Sequence, residues 1–146
     1  MEQDGTRDAF FTGNYDHTLD VKGRVSLPAK FRRNLPVELK IVPKGNTVMI
    51  FTTEGFRAYV DDVRTKLADL AEGREAAIAA ARFALTSSAE DTEIDSAGRI
   101  SISSKVRQNV GLEKDVSIVG AVDHIELMNR DVYAARLAAA QQFLTF

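Results

Sequence analysis

The sequence predicts an α+β fold in which two short β-rich halves complete one core between them. An internal repeat predicts this first: Asp20-Val21-Lys22-Gly23-Arg24-Val25-Ser26-Leu27-Pro28-Ala29-Lys30-Phe31-Arg32 returns as Asp95-Ser96-Ala97-Gly98-Arg99-Ile100-Ser101-Ile102-Ser103-Ser104-Lys105-Val106-Arg107. At this offset of 75 positions Asp, Gly, Arg, Ser, Lys and a second Arg recur identically, while Val25/Ile100, Leu27/Ile102 and Phe31/Val106 keep their apolar character. Two copies are too few for a solenoid. A pseudo-symmetric pair, each half covering apolar faces the other cannot bury alone, fits better. The second observation is length, since 146 residues make one ordinary domain or two very small ones sharing a core.

In chain order, Met1 to Asp8 is polar and mixed in charge, and residues 1–10 read as a flexible extension. Phe10 to Leu19 holds the first strand, with Tyr15, His17 and Leu19 alternating against Asp16 and Thr18 at the period of a half-buried strand. Asp20 to Gly23 is turn chemistry, with Gly23 free to take a left-handed conformation, and Arg24 to Leu27 forms the second strand. Pro28 suits the first turn of a short helix over Ala29 to Leu35. Leu39 to Val42 and Val48 to Phe51 then form a hairpin around Pro43-Lys44-Gly45-Asn46. Thr53 is placed to cap a helix whose Phe56, Tyr59, Val60, Val63, Leu67 and Leu70 recur at the spacing of one buried face. Gly73 interrupts it, a second helix runs from Glu75 to Leu85, and Thr86-Ser87-Ser88 reads as a linker.

The second half repeats the plan. Thr92 to Ile94 matches the first strand, Arg99 to Ile102 the second and Lys105 to Val110 the short helix, with Gly111 ending it. Val116 to Val119 and His124 to Leu127 stand for the hairpin after a slip of two residues. Asn129 is placed to cap a final helix carrying Val132, Tyr133, Leu137, Ala140 and Leu144 on one side. The predicted units are therefore a first repeat over 14–61, a helical connector over 62–88, a second repeat over 89–132 and a C-terminal helix over 133–146.

Composition narrows the function. No uninterrupted apolar run approaches the roughly 20 residues a bilayer span needs, so no membrane partner is expected. With no cysteine, disulfides, thiolate metal sites and cysteine nucleophiles are excluded. His17 and His124, the two imidazoles, lie in strand patterns without a ligand set at metal spacing and read as packing residues. No Ser-His-Asp set, phosphate-cradling loop or catalytic carboxylate pair stands out, so neither an enzyme nor a cofactor or metal is expected. The lack of a secretory signal makes the cytoplasm the default address. The net charge is −2, yet Asp20 to Lys44 carries seven basic residues against two acidic ones, a local balance of +5. Nucleic-acid binding depends on such local patches rather than on totals.

The pattern Asp-x-Lys-Gly-Arg-x-Ser-Leu-Pro-Ala-Lys-Phe-Arg, preceded by Tyr15-Asp16-His17-Thr18-Leu19 and repeated as Asp-x-x-Gly-Arg after a helical insertion, resembles the MraZ family from about Phe11 to Leu137. That resemblance implies two AbrB-like half-domains interlocking their hairpins into a small swapped-hairpin β-barrel. It also implies a cytoplasmic, nucleoid-associated bacterial transcriptional regulator. Family members are similar in forming rings of several subunits on repeated DNA boxes upstream of the cell-division and wall gene cluster. By this analogy Lys22, Arg24 and Arg99 face double-stranded DNA, and the turns of Asp20 and Asp95 hold them. The second repeat departs from the pattern, with Ala97 in place of Lys22 and Ser103-Ser104 in place of Pro28-Ala29, which predicts a less charged turn and a less firmly started helix.

On residue chemistry, a tight turn with Lys and Arg at its tip can approach phosphates closely, and Arg24 could reach a guanine edge with two parallel hydrogen bonds. Alternatively, Asp20 with Arg24 and Asp95 with Arg99 are ion pairs that close each hairpin and touch no ligand. Gly23 and Gly98 support the turns in either case. Lys30, Arg32 and Arg33 read as a flanking phosphate patch or as a solvated face. Subunits are expected to touch through the Phe56 to Leu70 helix and the C-terminal one. A protein-interaction scaffold that assembles without specific DNA binding is the competing reading.

Overall fold

A computed structural model of the chain describes residues 9–146; of the extension expected over 1–10, residues 1–8 lie outside the described residues, while Ala9 packs against the core. Eight strands and six α-helices follow in order: β1 (Asn14–Thr18), β2 (Arg24–Ser26), α1 (Ala29–Arg32), β3 (Glu38–Lys44), β4 (Thr47–Phe51), α2 (Thr53–Asp61), α3 (Val63–Lys66), α4 (Arg74–Ser88), β5 (Glu90–Glu93), β6 (Arg99–Ser101), α5 (Ser104–Val110), β7 (Asp115–Gly120), β8 (Ile125–Asn129) and α6 (Arg130–Ala140). A 3₁₀ turn over Gln141–Phe143 follows α6. Six strands form one antiparallel sheet in the order β1-β7-β8-β4-β3-β5, and β2 with β6 forms a separate antiparallel ribbon.

The two halves interlock. The first strand of each half pairs with the third strand of the other: Asp16 lies opposite Ser117 in β1–β7, and Lys40 opposite Asp91 in β3–β5. On the ribbon Val25 lies opposite Ile100, its own equivalent in the repeat. Across β4–β8 Met49 lies opposite Glu126, again an equivalent pair once the two-residue slip is included. A pseudo-two-fold axis therefore runs through both pairs, and the slip read from the sequence is the real register.

The interior follows from this interlocking. Leu19, Val25, Leu27, Phe31, Leu39, Ile41, Val48 and Ile50 of the first half form one buried cluster with Ile100, Ile102, Val106, Val116, Ile118, Ile125 and Leu127 of the second. Neither set closes a core alone, because strands buried on one face need the partner's strands opposite them. A smaller cluster of Val42, Met49, Phe51 and Phe56 lies under α2.

Several local expectations are corrected. Pro43 lies inside β3 and not in the turn, which is only Gly45-Asn46. The pairing of β3 with β5 ends at Ile41, so at Pro43 one side of the strand is open and its missing amide costs little. Thr52, not Thr53, caps α2: its backbone is extended and its hydroxyl accepts from the Gly55 amide at 2.9 Å. α1 stops at Arg32 rather than at Leu35. The Phe56 stripe does not reach Leu70, which is exposed; the chain breaks at Asp62, α3 has only four residues, and Gly73 turns it at φ +69°. Thr86-Ser87-Ser88 continues α4, where the Thr86 and Ser88 hydroxyls are accommodated by bonding back to the Arg82 and Ala84 carbonyls.

In the second half, α5 is longer than α1, against expectation. The Ser103 hydroxyl accepts from the Val106 amide at 3.2 Å, doing with a cap what Pro28 does with a fixed φ. Asn129 precedes α6 but does not cap it; its side chain instead ties the Glu113 amide to the Gly111 carbonyl. α6 buries none of its residues, and Leu137 and Leu144 are exposed. Among the described residues no helix is long and apolar enough to cross a membrane.

Candidate nucleic-acid interface

Each half carries the same turn, built the same way. The Asp20 carboxylate accepts from the amides of Lys22 at 3.0 Å and Arg24 at 2.8 Å with one oxygen, and from Arg24 Nε at 2.8 Å with the other. Asp95 accepts from Ala97 and Arg99 amides, both at 2.9 Å, and from Arg99 Nε at 3.1 Å. Gly23 and Gly98 donate back to the Asp20 and Asp95 carbonyls at 2.9 Å, and both adopt left-handed φ, +82° and +80°. The amide donors, Arg24 first, hold the Asp20 carboxyl below the usual carboxylate range, and those led by Arg99 do the same for Asp95.

Both ion pairs are therefore present in the structure, and they leave part of each arginine available. Only Nε of Arg24 and of Arg99 is used in these pairs, and each side chain keeps about a third of its surface exposed, 33% and 34%. The aspartates thus orient guanidiniums without neutralising their outer edges by contact.

The ribbon then sets the two arginines side by side. Val25 and Ile100 point into the core, so Arg24, Ser26, Arg99 and Ser101 share the opposite, outward face. Arg24 stands opposite Ser101 and Arg99 opposite Ser26, which offsets the arginines by two residues, or about 7 Å along the strands. Lys22 is exposed at the first tip, where the second has Ala97.

The supporting residues cross between halves. The Leu27 amide donates to the Gly98 carbonyl at 3.0 Å, and the Ile102 amide to the Gly23 carbonyl at 2.7 Å. Arg32 lies over the Gly98 turn so closely that a Cβ there would overlap its guanidinium. Arg107 lies in the same way over Gly23, and its Nε donates to the Ile102 carbonyl at 3.1 Å. Arg32 of the expected phosphate patch is half-buried, its Nε is enclosed, and it braces the other half's turn. Lys30 is exposed and donates to the Thr12 hydroxyl at 3.1 Å, and Arg33 is exposed on the short helix.

Sequence reasoning missed Arg107 as a bracing residue and Ser26 and Ser101 as members of the outward face. The repeat held the signal, because Arg32/Arg107 and Ser26/Ser101 are identical pairs at the same offset.

Elsewhere, His124 is half-buried and stacks on Phe51, with ring centroids 4.7 Å apart, and its nitrogens meet Asp123 at 2.8 Å and Glu126 at 2.9 Å. Burial works against its charged form, but the bonds to Glu126 and Asp123 outweigh that and raise its pKa. The bond from His124, with help from Arg136, lowers the Glu126 carboxyl to about 2. As expected of a packing histidine, its polar atoms are satisfied within the chain. Among the described residues no cluster of His, Asp and Glu is arranged to hold a metal ion.

Comparison with known proteins matches this duplicated architecture. The family model described as "MraZ protein, putative antitoxin-like" matches twice, over residues 10–78 and 85–145. The chain belongs to the MraZ family. The two matches coincide with the two interlocked halves of this MraZ-family chain. It is 36% identical over 123 residues to a protein of Thermoanaerobacter sp. (strain X514) named "Transcriptional regulator MraZ", covering 83% of this chain and 82% of the relative. Proteins of the same name from Treponema denticola, 33% identical over 132 residues and 89% of each chain, and from Alkaliphilus oremlandii, 38% identical over 119 residues and 80% and 79% of the two chains, are also similar.

Proposed function

We propose that this chain is a transcriptional regulator that binds double-stranded DNA sequence-specifically through the outward face of the β2–β6 ribbon and its two flanking turns. The observation that carries this reading is the pair of equivalent arginines, Arg24 and Arg99, each aimed by an aspartate through Nε and presented together on one exposed face. Fixed guanidiniums with free outer edges suit the paired acceptors of guanine and the oxygens of phosphate. Lys22 adds a mobile charge at the first tip, while Lys30 and Arg33 supply flanking phosphate contacts. The interlocked strands, closing as an AbrB-like barrel, serve as the rigid mount.

In the same reading several copies assemble into a ring, and the ring engages repeated boxes upstream of the division and cell-wall gene cluster in the cytoplasm, at the nucleoid. Exposed apolar residues on α4 and beyond α6, Phe83, Phe143 and Leu144, supply surface for such contacts. No catalytic step is part of this function.

Arg24→Ala tests it. Asp20 keeps its bonds to the Lys22 and Arg24 amides in that variant, and the lost pair is partly exposed and solvent-screened, so it contributes little to stability. Specific binding in a gel-shift titration should be lost while the melting temperature barely moves. Early melting would instead make Arg24 a structural residue. Indifference of the wild-type protein to any duplex at low salt would favour an oligomeric scaffold.

A further inference from the structure

The two turns are the same object hydrogen bond for hydrogen bond, so whatever differs between them is not required to build a turn. Both aspartates accept the same two amides and the same Nε, both glycines sit at the same φ, and both carbonyls are held by the opposite half. The differences fall at the tips: Val21-Lys22 in the first, Ser96-Ala97 in the second. Lys22 has a ready account as a charge for phosphate. Val21 has none in the fold, being 95% exposed at the tip and absent from both buried clusters. A serine completes the same turn at the equivalent position, so the valine is not there for stability.

Its surroundings indicate what it meets. Val21 lies between Asp20, which orients Arg24, and Lys22, at the projecting end of a rigid turn on the proposed DNA-binding face. A branched aliphatic side chain loses little rotamer freedom on contact. In the major groove the apolar feature that distinguishes one base pair from the others is the C5-methyl group of thymine.

We propose that Val21 is a specificity-determining residue that packs on a thymine methyl group beside the base contacted by Arg24, so that the first turn selects an A·T pair at a fixed step and the second turn does not. The inference rests on the DNA-binding reading above. It makes the two halves unequal: both hold the backbone, and one adds an apolar contact.

The test uses the full-length chain and 30-base-pair duplexes that it enriches from a random-sequence pool, with affinity read by fluorescence anisotropy. Each thymine of the enriched box is replaced in turn by deoxyuridine, which deletes only the methyl group. One such replacement should weaken binding about fourfold, what a single buried methylene is worth. Val21→Ser, which copies the second turn and should melt with the wild type, should lose a similar factor on the parent duplex and be insensitive to that replacement. Equal affinity of the wild type for every deoxyuridine duplex, with binding still dependent on Arg24, would overturn the role of Val21 and leave the DNA-binding reading standing. Failure to enrich any duplex would overturn both.

Discussion

The residues that determine the fate of the candidate interface are its two glycines, and they are not equally replaceable. Both occupy left-handed φ, where an L side chain costs roughly 1–2 kcal/mol. Beyond that, a Cβ on Gly23 would overlap the Ile102 carbonyl, which is backbone, whereas on Gly98 it would overlap the Arg32 guanidinium, which is a side-chain end. Gly23→Ala should therefore destabilise the chain more than Gly98→Ala in urea titrations. Arg32→Ala should recover part of the Gly98→Ala loss, but Arg107→Ala should recover little of the Gly23→Ala loss. Equal costs, or equal rescue, would show that the turns are not clamped in the way described. Much of this was legible beforehand: aspartate, glycine and arginine at fixed offsets, twice, name the turn. What could not be read was the bracing across halves, because Arg32 and Arg107 look like surface cations until the strands of one half lie on the turns of the other.

At the scale of elements, the β7–β8 hairpin carries a coupled charge cluster. His124 and Arg136 hold Glu126, and Thr47 approaches Arg136 from β4. The raised pKa of His124 contributes stability below its unfolded value near 6.5 and loses it as the pH climbs through the folded value. The lowered pKa of Glu126 contributes above about 4.3, the unfolded value, and is lost as the pH falls toward the folded one. Both contributions coincide between about pH 4.5 and 6.5. The melting temperature should fall from pH 6 to pH 8.5, and Glu126→Gln should flatten that slope; an unchanged slope in the variant would remove the cluster from the account. Elements with strong local patterns were readable, such as β4, α2 and the turn at Gly111. The errors fall where context overrides pattern: Pro43 is tolerated at an open side of β3, and the α6 stripe is only half-covered by β7 and β8, with Val132 and Tyr133 half-buried and Leu137 exposed.

For the whole molecule, the central point is that a single copy offers one small face with two arginines, a modest contact area for a specific protein–DNA complex. Linked sites gain through effective concentration. A duplex with several boxes should accordingly bind far more tightly than one with a single box, by about 10²-fold or more where geometry allows simultaneous engagement, and the salt dependence should steepen as more phosphates are covered. Equal affinity for the two duplexes in a salt-matched titration would mean that the copies act alone. Native mass measurement of the assembly, free and with duplex, would count them.

The strand exchange between halves also bears on how the chain is made. Tyr15 pairs with Ile118, so β1 has no strand to join until more than a hundred further residues have been synthesised. At about 5–20 residues per second that is a delay of some 5–20 s. Through that interval the amino-terminal half must emerge from the ribosome with its edge unoccupied, exposed to neighbouring nascent chains that carry the same missing strand.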